Sequence, residues 1–182
     1  LGPGGAAAGM ERARDQGLVR FIGLSALGDA AATVKAIDSG RFDSAQVYYN
    51  LINPSAARAM PPSWRGFQSA GVIAACRRHD MAVVAIRIFA ARYLATPVPT
   101  GREGVLTADT DPASEARMAA AVAATLGVAH GSPAQTAVRF ALSNPDISTA
   151  VVGLARVEHI EDACAGAALG PLPHAAFTTL ER

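Results

Sequence analysis

Cysteine is scarce in this chain, and histidine clusters, excess charge and long apolar runs are missing from it; each lack excludes something. The cysteines are Cys76 and Cys164, far apart in apolar helical stretches. They read as reduced thiols, not as a disulfide framework. His79, His130, His159 and His174 stand singly, and no Cys/His spacing suits zinc or another metal. Basic and acidic residues nearly cancel, 16 against 15, so no basic stripe predicts a nucleic-acid partner and no acidic block predicts a tail. No apolar run reaches the roughly 18 residues of a membrane span. The opening "LGPGGAAAGMERARDQG" lacks the charge-then-apolar order of a secretory signal. The expectation is a cytoplasmic protein with no membrane partner. The first residue is Leu1 and not Met, which hints at a truncated reading frame, although a processed terminus would look the same.

What is present is alanine and branched aliphatics. The 182 residues are 51% hydrophobic, enough for the core of one domain and not comfortably two. Helical periodicity alternates with short branched runs. Residues 6–16 read as a helix stopped by Gly17, and 18–25 as a strand. In 28–40, Ala30, Ala31, Val34 and Ile37 recur at helical spacing before Gly40. A strand over 42–50 is followed by a loop holding Pro54, Pro61 and Pro62. Next come a helix over 66–80 with a basic last turn and a strand over 81–90. A long polar loop occupies 96–112. The helix over 114–127 has Ser114 to cap it and a face of Met118, Ala121, Val122 and Leu126. The helix over 132–144 has Ser132 as cap and Pro133 in its first position. A strand over 147–153 and helices over 155–167 and 174–182 complete the chain.

Strands that alternate with helices and are nearly all apolar predict an α/β protein whose parallel strands are buried on both faces. Polar residues gather at the carboxyl ends of the strands: Ser25, Gln46 to Asn50, Arg87 and Gly153. Ligands sit at that end in (β/α)8 barrels and in open doubly wound sheets alike. The turn "IGLSALGD" has the wrong glycine spacing for a dinucleotide-binding Rossmann unit. Four βα units are too few to close a barrel of eight strands, so the pattern predicts half of one. The stretch "FDSAQVYYNLINPS" stands out, because a strand that only filled a core would end in Val or Ile. Tyr48 and Tyr49 are adjacent and point to opposite faces, so at most one looks inward. Asn50 either caps the strand end or faces a site.

Four stretches, in order, resemble the C-terminal half of the aldo-keto reductase family, whose fold is a (β/α)8 TIM barrel. They are "ARDQGLVRFIGLSA", "FDSAQVYYNLINPS", "HDMAVVAIRIFAARYLA" and "LGVAHGSPAQTAVRFALSNPDISTAVVGLARVEHIEDA". "YYNLINPS" and "AIRIFAA" look like the bacterial branch that includes aldose and galactose dehydrogenases. The resemblance implies one partial domain over 1–182, carrying strands five to eight of the barrel with the N-terminal half absent. It implies hydride transfer between NADP, or NAD, and a small-molecule carbonyl or sugar. Gln46 and Ser25 would hold the nicotinamide carboxamide. Ile86, Arg87 and Phe89 would lie along the ring and pyrophosphate. Gly153, Arg156, His159 and Asp162 would meet the adenosine phosphate, ribose and adenine.

The departures are equally specific. Ala26 stands where Asn is usual, Ile86 where many members stack an aromatic ring, Arg87 where Ser is common, and Ala163 where the signature ends in Asn. The family's Asp, Tyr, Lys and His lie on the second to fourth strands, so no catalytic residue is expected in this chain. Lys35 is its only lysine and falls on a predicted helix, and Tyr93 lies in a loop. Three readings follow. One is the cofactor-binding half of a reductase or sugar dehydrogenase. Another is a non-catalytic half-barrel that binds nucleotide and dimerises, and a third is an unrelated phosphate-binding barrel. The outermost strands would expose unpaired edges that invite self-association, and the 96–112 loop is expected to fold over the ligand.

Overall fold

The computed structural model describes residues 1–96, 104–105, 107 and 110–180, so much of the 96–112 loop lies outside the described residues. The elements are α1 (Ala6–Asp15), β1 (Gly23–Ala26), α2 (Ala30–Ile37), β2 (Ser44–Tyr48), α3 (Val72–Arg78), β3 (Ala82–Ile86), α4 (Pro112–Leu126), α5 (Pro133–Leu142), β4 (Thr149–Ala150), α6 (Val157–Ala168) and α7 (His174–Leu180). A single 3₁₀ turn, Ala90–Arg92, follows β3.

The strands form one sheet in the order β1-β2-β3-β4, with every neighbouring pair parallel. Each strand is added on the same side of the last. Right-handed crossovers then return every connecting helix over the same face. Burial follows this geometry. Ala26, Ala45, Val47, Val83 and Ala85 are buried beneath the helices, while Ser25 and Gln46, which alternate with them, are exposed. A doubly wound sheet would reverse its strand order somewhere and clothe both faces. This one does neither. It is an open arc of four parallel βα units, clothed by helices outside and left open over most of its inside. The expectation of strands buried on both faces is thereby corrected: on the inner face only the carboxyl end is covered, where Tyr48 lies buried against Phe67 and Glu115 of α4.

Several boundaries differ from the sequence reading. Pairing of β1 starts at Gly23, not residue 18, because Asp43 holds Ile22 through its backbone N–H and its carboxylate, both at 2.8 Å. Leu18 and Phe21 are left 72% and 69% exposed. The helix expected from residue 66 begins at Val72, after Gly71 at φ +79°. Strand β3 ends at Ile86 because Arg87 turns left-handed, φ +60°. Strand β4 shrinks to Thr149 and Ala150, paired with Val84 and Ala85. Asp111, not Ser114, caps α4, accepting from the Ala113 N–H at 3.1 Å ahead of Pro112 in the first turn. The buried line of α4 is Glu115, Ala119 and Leu126, and Ala121 is exposed. Helix α5 has the expected Ser132 cap, completed by Gln135 into a reciprocal capping box.

The core lies between the clothed face and the helices. Ile37, Val47, Ile73 and Val83 are almost fully buried. Removing each such side chain from water stabilises the fold by roughly 1.5–3 kcal/mol. Tyr49 stacks on Phe140 with centroids 5.2 Å apart, and Phe140 meets Phe177 at 5.8 Å. This fulfils half of the tyrosine expectation, since Tyr49 is the ring that packs under a helix. Phe140→Ala is expected to cost about 3–5 kcal/mol by urea unfolding. Phe21→Ala, on an exposed ring, should stay within about 0.5 kcal/mol. Equal losses from the two would contradict this placement of the core.

Candidate functional site

On the bare face, register brings together side chains that sequence distance separates. Ser25 pairs with Gln46, Gln46 with Val84, and Val84 with Thr149. They form one row across the sheet, with neighbouring strands about 4.8 Å apart. Ser25 and Gln46 are exposed, and neither side chain has a hydrogen-bond partner among the described residues. A hydroxyl and a carboxamide therefore stand side by side, free to grip one small polar group. One row toward the carboxyl end, Tyr48 pairs with Ile86, which is half-buried.

The polar tail of β2 divides into two kinds of residue. Asn50, fully buried, is used up locally. Its Nδ2 donates to the Arg87 carbonyl at 2.8 Å, and its Oδ1 accepts from the N–H groups of Ile52 and Asn53. Asn53 and Ser55 continue this knot to the Phe67 carbonyl, at 2.9 and 3.2 Å. Asn50 thus caps the strand end and fastens it to β3. Tyr48 is buried on the inner side, against Phe67 at 5.5 Å, and its hydroxyl donates to Glu115 Oε1 at 2.8 Å. Arg87 lies over the Tyr48 ring at 5.8 Å, donates to the Gly104 carbonyl at 2.9 Å, and sits 3.8 Å from Glu115. Sequence reasoning missed Glu115, which reads as an ordinary acidic residue in a helix's first turn.

Beyond β3 and β4 two hollows share Phe89, Arg92 and Gly153 as a common wall. One, about 390 Å³, also takes in Ile86, Arg87 and Val151. The other, about 540 Å³, reaches Arg156, His159 and Asp162 at the start of α6. The candidates from Ile86 to Asp162 are therefore brought together, and Ser25 and Gln46 form a row on the adjoining open face. No side chain caps the N-terminus of α6, so its first N–H groups are available to an anion. Arg156 is 72% exposed there, 3.4 Å from His159 and 3.9 Å from Glu158. Asp162 is already engaged, accepting from Ser132 Oγ at 2.9 Å and Gln135 Nε2 at 2.8 Å. Arg92, exposed between the two hollows at φ +92°, was not foreseen, because a left-handed arginine in a loop leaves no mark in the sequence.

Burial of Tyr48, and then the Glu115 charge beside it, push its phenol up to about 12. The folded chain holds the protonated form. Its stabilising effect is complete below the unfolded value near pH 10 and is lost as pH rises from there through about 12. The urea midpoint should therefore fall above pH 10, and less so in Tyr48→Phe. An identical alkaline loss in both proteins would show that this phenol is not the cause.

The comparisons with known proteins agree with this geometry. The chain superposes on the holo form of aldo-keto reductase AKR11C1 from Bacillus halodurans with a TM-score of 0.68 and 15% identity, covering 96% of this chain and 54% of that one. The apo form of that protein gives 0.66, with the same identity and coverage. At such identity the likeness shows the fold, and the chain spans about half the length of these structures. No curated protein matches the sequence. The model of the aldo/keto reductase family matches residues 5–182, and the chain belongs to that family.

Proposed function

We propose that this chain is the cofactor-binding half of an NAD(P)H-dependent reductase of aldehydes and ketones, or of a sugar dehydrogenase. The observation that carries the reading is the Ser25–Gln46 pair, in register on the bare face with both side chains unpartnered. A primary carboxamide needs one acceptor and one donor, and Gln46 with Ser25 supplies both. The half-buried Ile86 offers an aliphatic surface for a ring one row further on. The hollows past Phe89, Arg92 and Gly153 accommodate an elongated anionic ligand, and the uncapped start of α6 receives a phosphate. Arg156 beside it favours the 2′-phosphate of NADP, with NAD as the alternative. A bound nicotinamide nucleotide would supply the hydride. The chain's own residues would bind it and fix which face of the ring is presented, an orientation effect.

Proton donation would come from outside these residues. Lys35 is exposed on α2, Tyr48 is bound to Glu115, and Tyr49 is stacked under α5. A second reading, a non-catalytic half-barrel that pairs with a copy of itself, draws support from the open inner face and from the outer edges of β1 and β4, which pair with no strand among the described residues. NADPH fluorescence titration tests the first reading. Saturable binding is expected, weakened about tenfold in Gln46→Ala, and Arg156→Ala should weaken NADPH more than NADH. No saturation, or variants that bind like the unaltered chain, would overturn it. A stable dimer by sedimentation that binds NADPH but never turns over carbonyl substrates would favour the second reading.

A further inference from the structure

Arg87 turns left-handed at the end of β3, φ +60°, and its guanidinium lies over the Tyr48 ring. There Nη1 donates to the Gly104 carbonyl at 2.9 Å, and Nη2 lies 3.8 Å from Glu115 Oε2. The Arg87 and Glu115 side chains are only 15% and 10% exposed. Arginine and carboxylate commonly close into a bidentate fork. Here the Tyr48 hydroxyl takes Oε1 at 2.8 Å, and the fork stays open. Arg87 Nε and Nη2 and Glu115 Oε2 are all buried without a hydrogen bond. The two groups therefore meet as opposite charges and not as a hydrogen-bonded clasp.

The partners face different spaces. Arg87 stands in the wall of the 390 Å³ hollow beside Arg92, and no acid joins them in that wall among the described residues. Glu115 stands behind it, in the wall of a separate pocket of about 330 Å³. Both charges are largely out of water, where screening is weak and a charge is felt across several ångströms. We infer that Glu115 is a positioning residue for an anionic group in this hollow, offsetting the Arg87 charge from behind and so holding the anion affinity of the hollow down. This rests on the reading that the hollow receives the phosphates of a nucleotide. A diphosphate facing two uncompensated arginines would be slow to leave, and the offset keeps it exchangeable.

Glu115→Gln removes the charge while the amide oxygen can still accept from Tyr48. By calorimetry, inorganic pyrophosphate should bind this variant about fivefold more tightly than the unaltered chain, with the gain shrinking as salt is raised. A merely structural Glu115 would move affinity the other way, because a loosened wall weakens every ligand. Should Glu115→Gln lose its far-ultraviolet dichroism, Arg87→Met and the double variant with Glu115→Gln decide. The double variant should bind pyrophosphate more tightly than Arg87→Met alone, since it no longer leaves an uncompensated acid. Equal or weaker binding by Glu115→Gln, a double variant no tighter than Arg87→Met, or no pyrophosphate binding by the unaltered chain would overturn the inference. Pyrophosphate binding that tightens in Glu115→Gln while NADPH fails to bind would sink the proposed function and leave this role of Glu115 standing; the reverse outcome would do the opposite.

Discussion

Parallel strands laid down in sequential order oblige each right-handed crossover to return over the same side of the sheet. That obligation shapes everything else in this chain. It clothes one face with α2, α3 and α5 and leaves the other without a layer of its own. Parallel sheets are ordinarily covered on both faces, so the inner row of Ser25, Gln46, Val84 and Thr149 is unusual in facing outward. The same register that aligns the backbone ladder thus aligns the candidate binding groups.

Strand β2 shows how one short segment serves two ends. Asn50 spends its amide on the chain itself, fixing the loop that follows and the carbonyl of Arg87. Gln46, four residues earlier, spends its amide on nothing within the described residues. Between them Tyr48 reaches sideways to Glu115. The internal bonds make the strand end rigid, which fixes the backbone from which Gln46 projects. Preorganisation of this kind lowers the ordering cost when a ligand arrives.

Much of this was legible in the sequence. Alternating periodicities gave the element order, and the Ser132–Pro133 start of α5 was read from its capping chemistry. Ser25 and Gln46 were marked as polar residues at strand ends, and their alignment in one row came only with the register. What could not be read has physical reasons. The bare face depends on strand order, and apolar strands look alike whether one face is covered or two. Glu115 occupies a first-turn position where a solvent-exposed acid is the ordinary outcome, and its burial depends on Tyr48, 67 residues away in the chain. Asp162 was read as a ligand contact, and its tie to Ser132 and Gln135 depends on the N-terminal turn of α5 meeting the second turn of α6.

That tie has a companion. Gly166 lies so close to α5 that a Cβ placed there would meet the Gln135 Cα at 2.8 Å. Helices α5 and α6 therefore touch backbone to backbone at one level and through Asp162 at another. A side chain at 166 would act as a wedge, prying the pair apart and swinging the mouth of the larger hollow out of line. Residues 156–159 lie at the other end of α6 from that contact, so replacements there would leave the close packing unmoved.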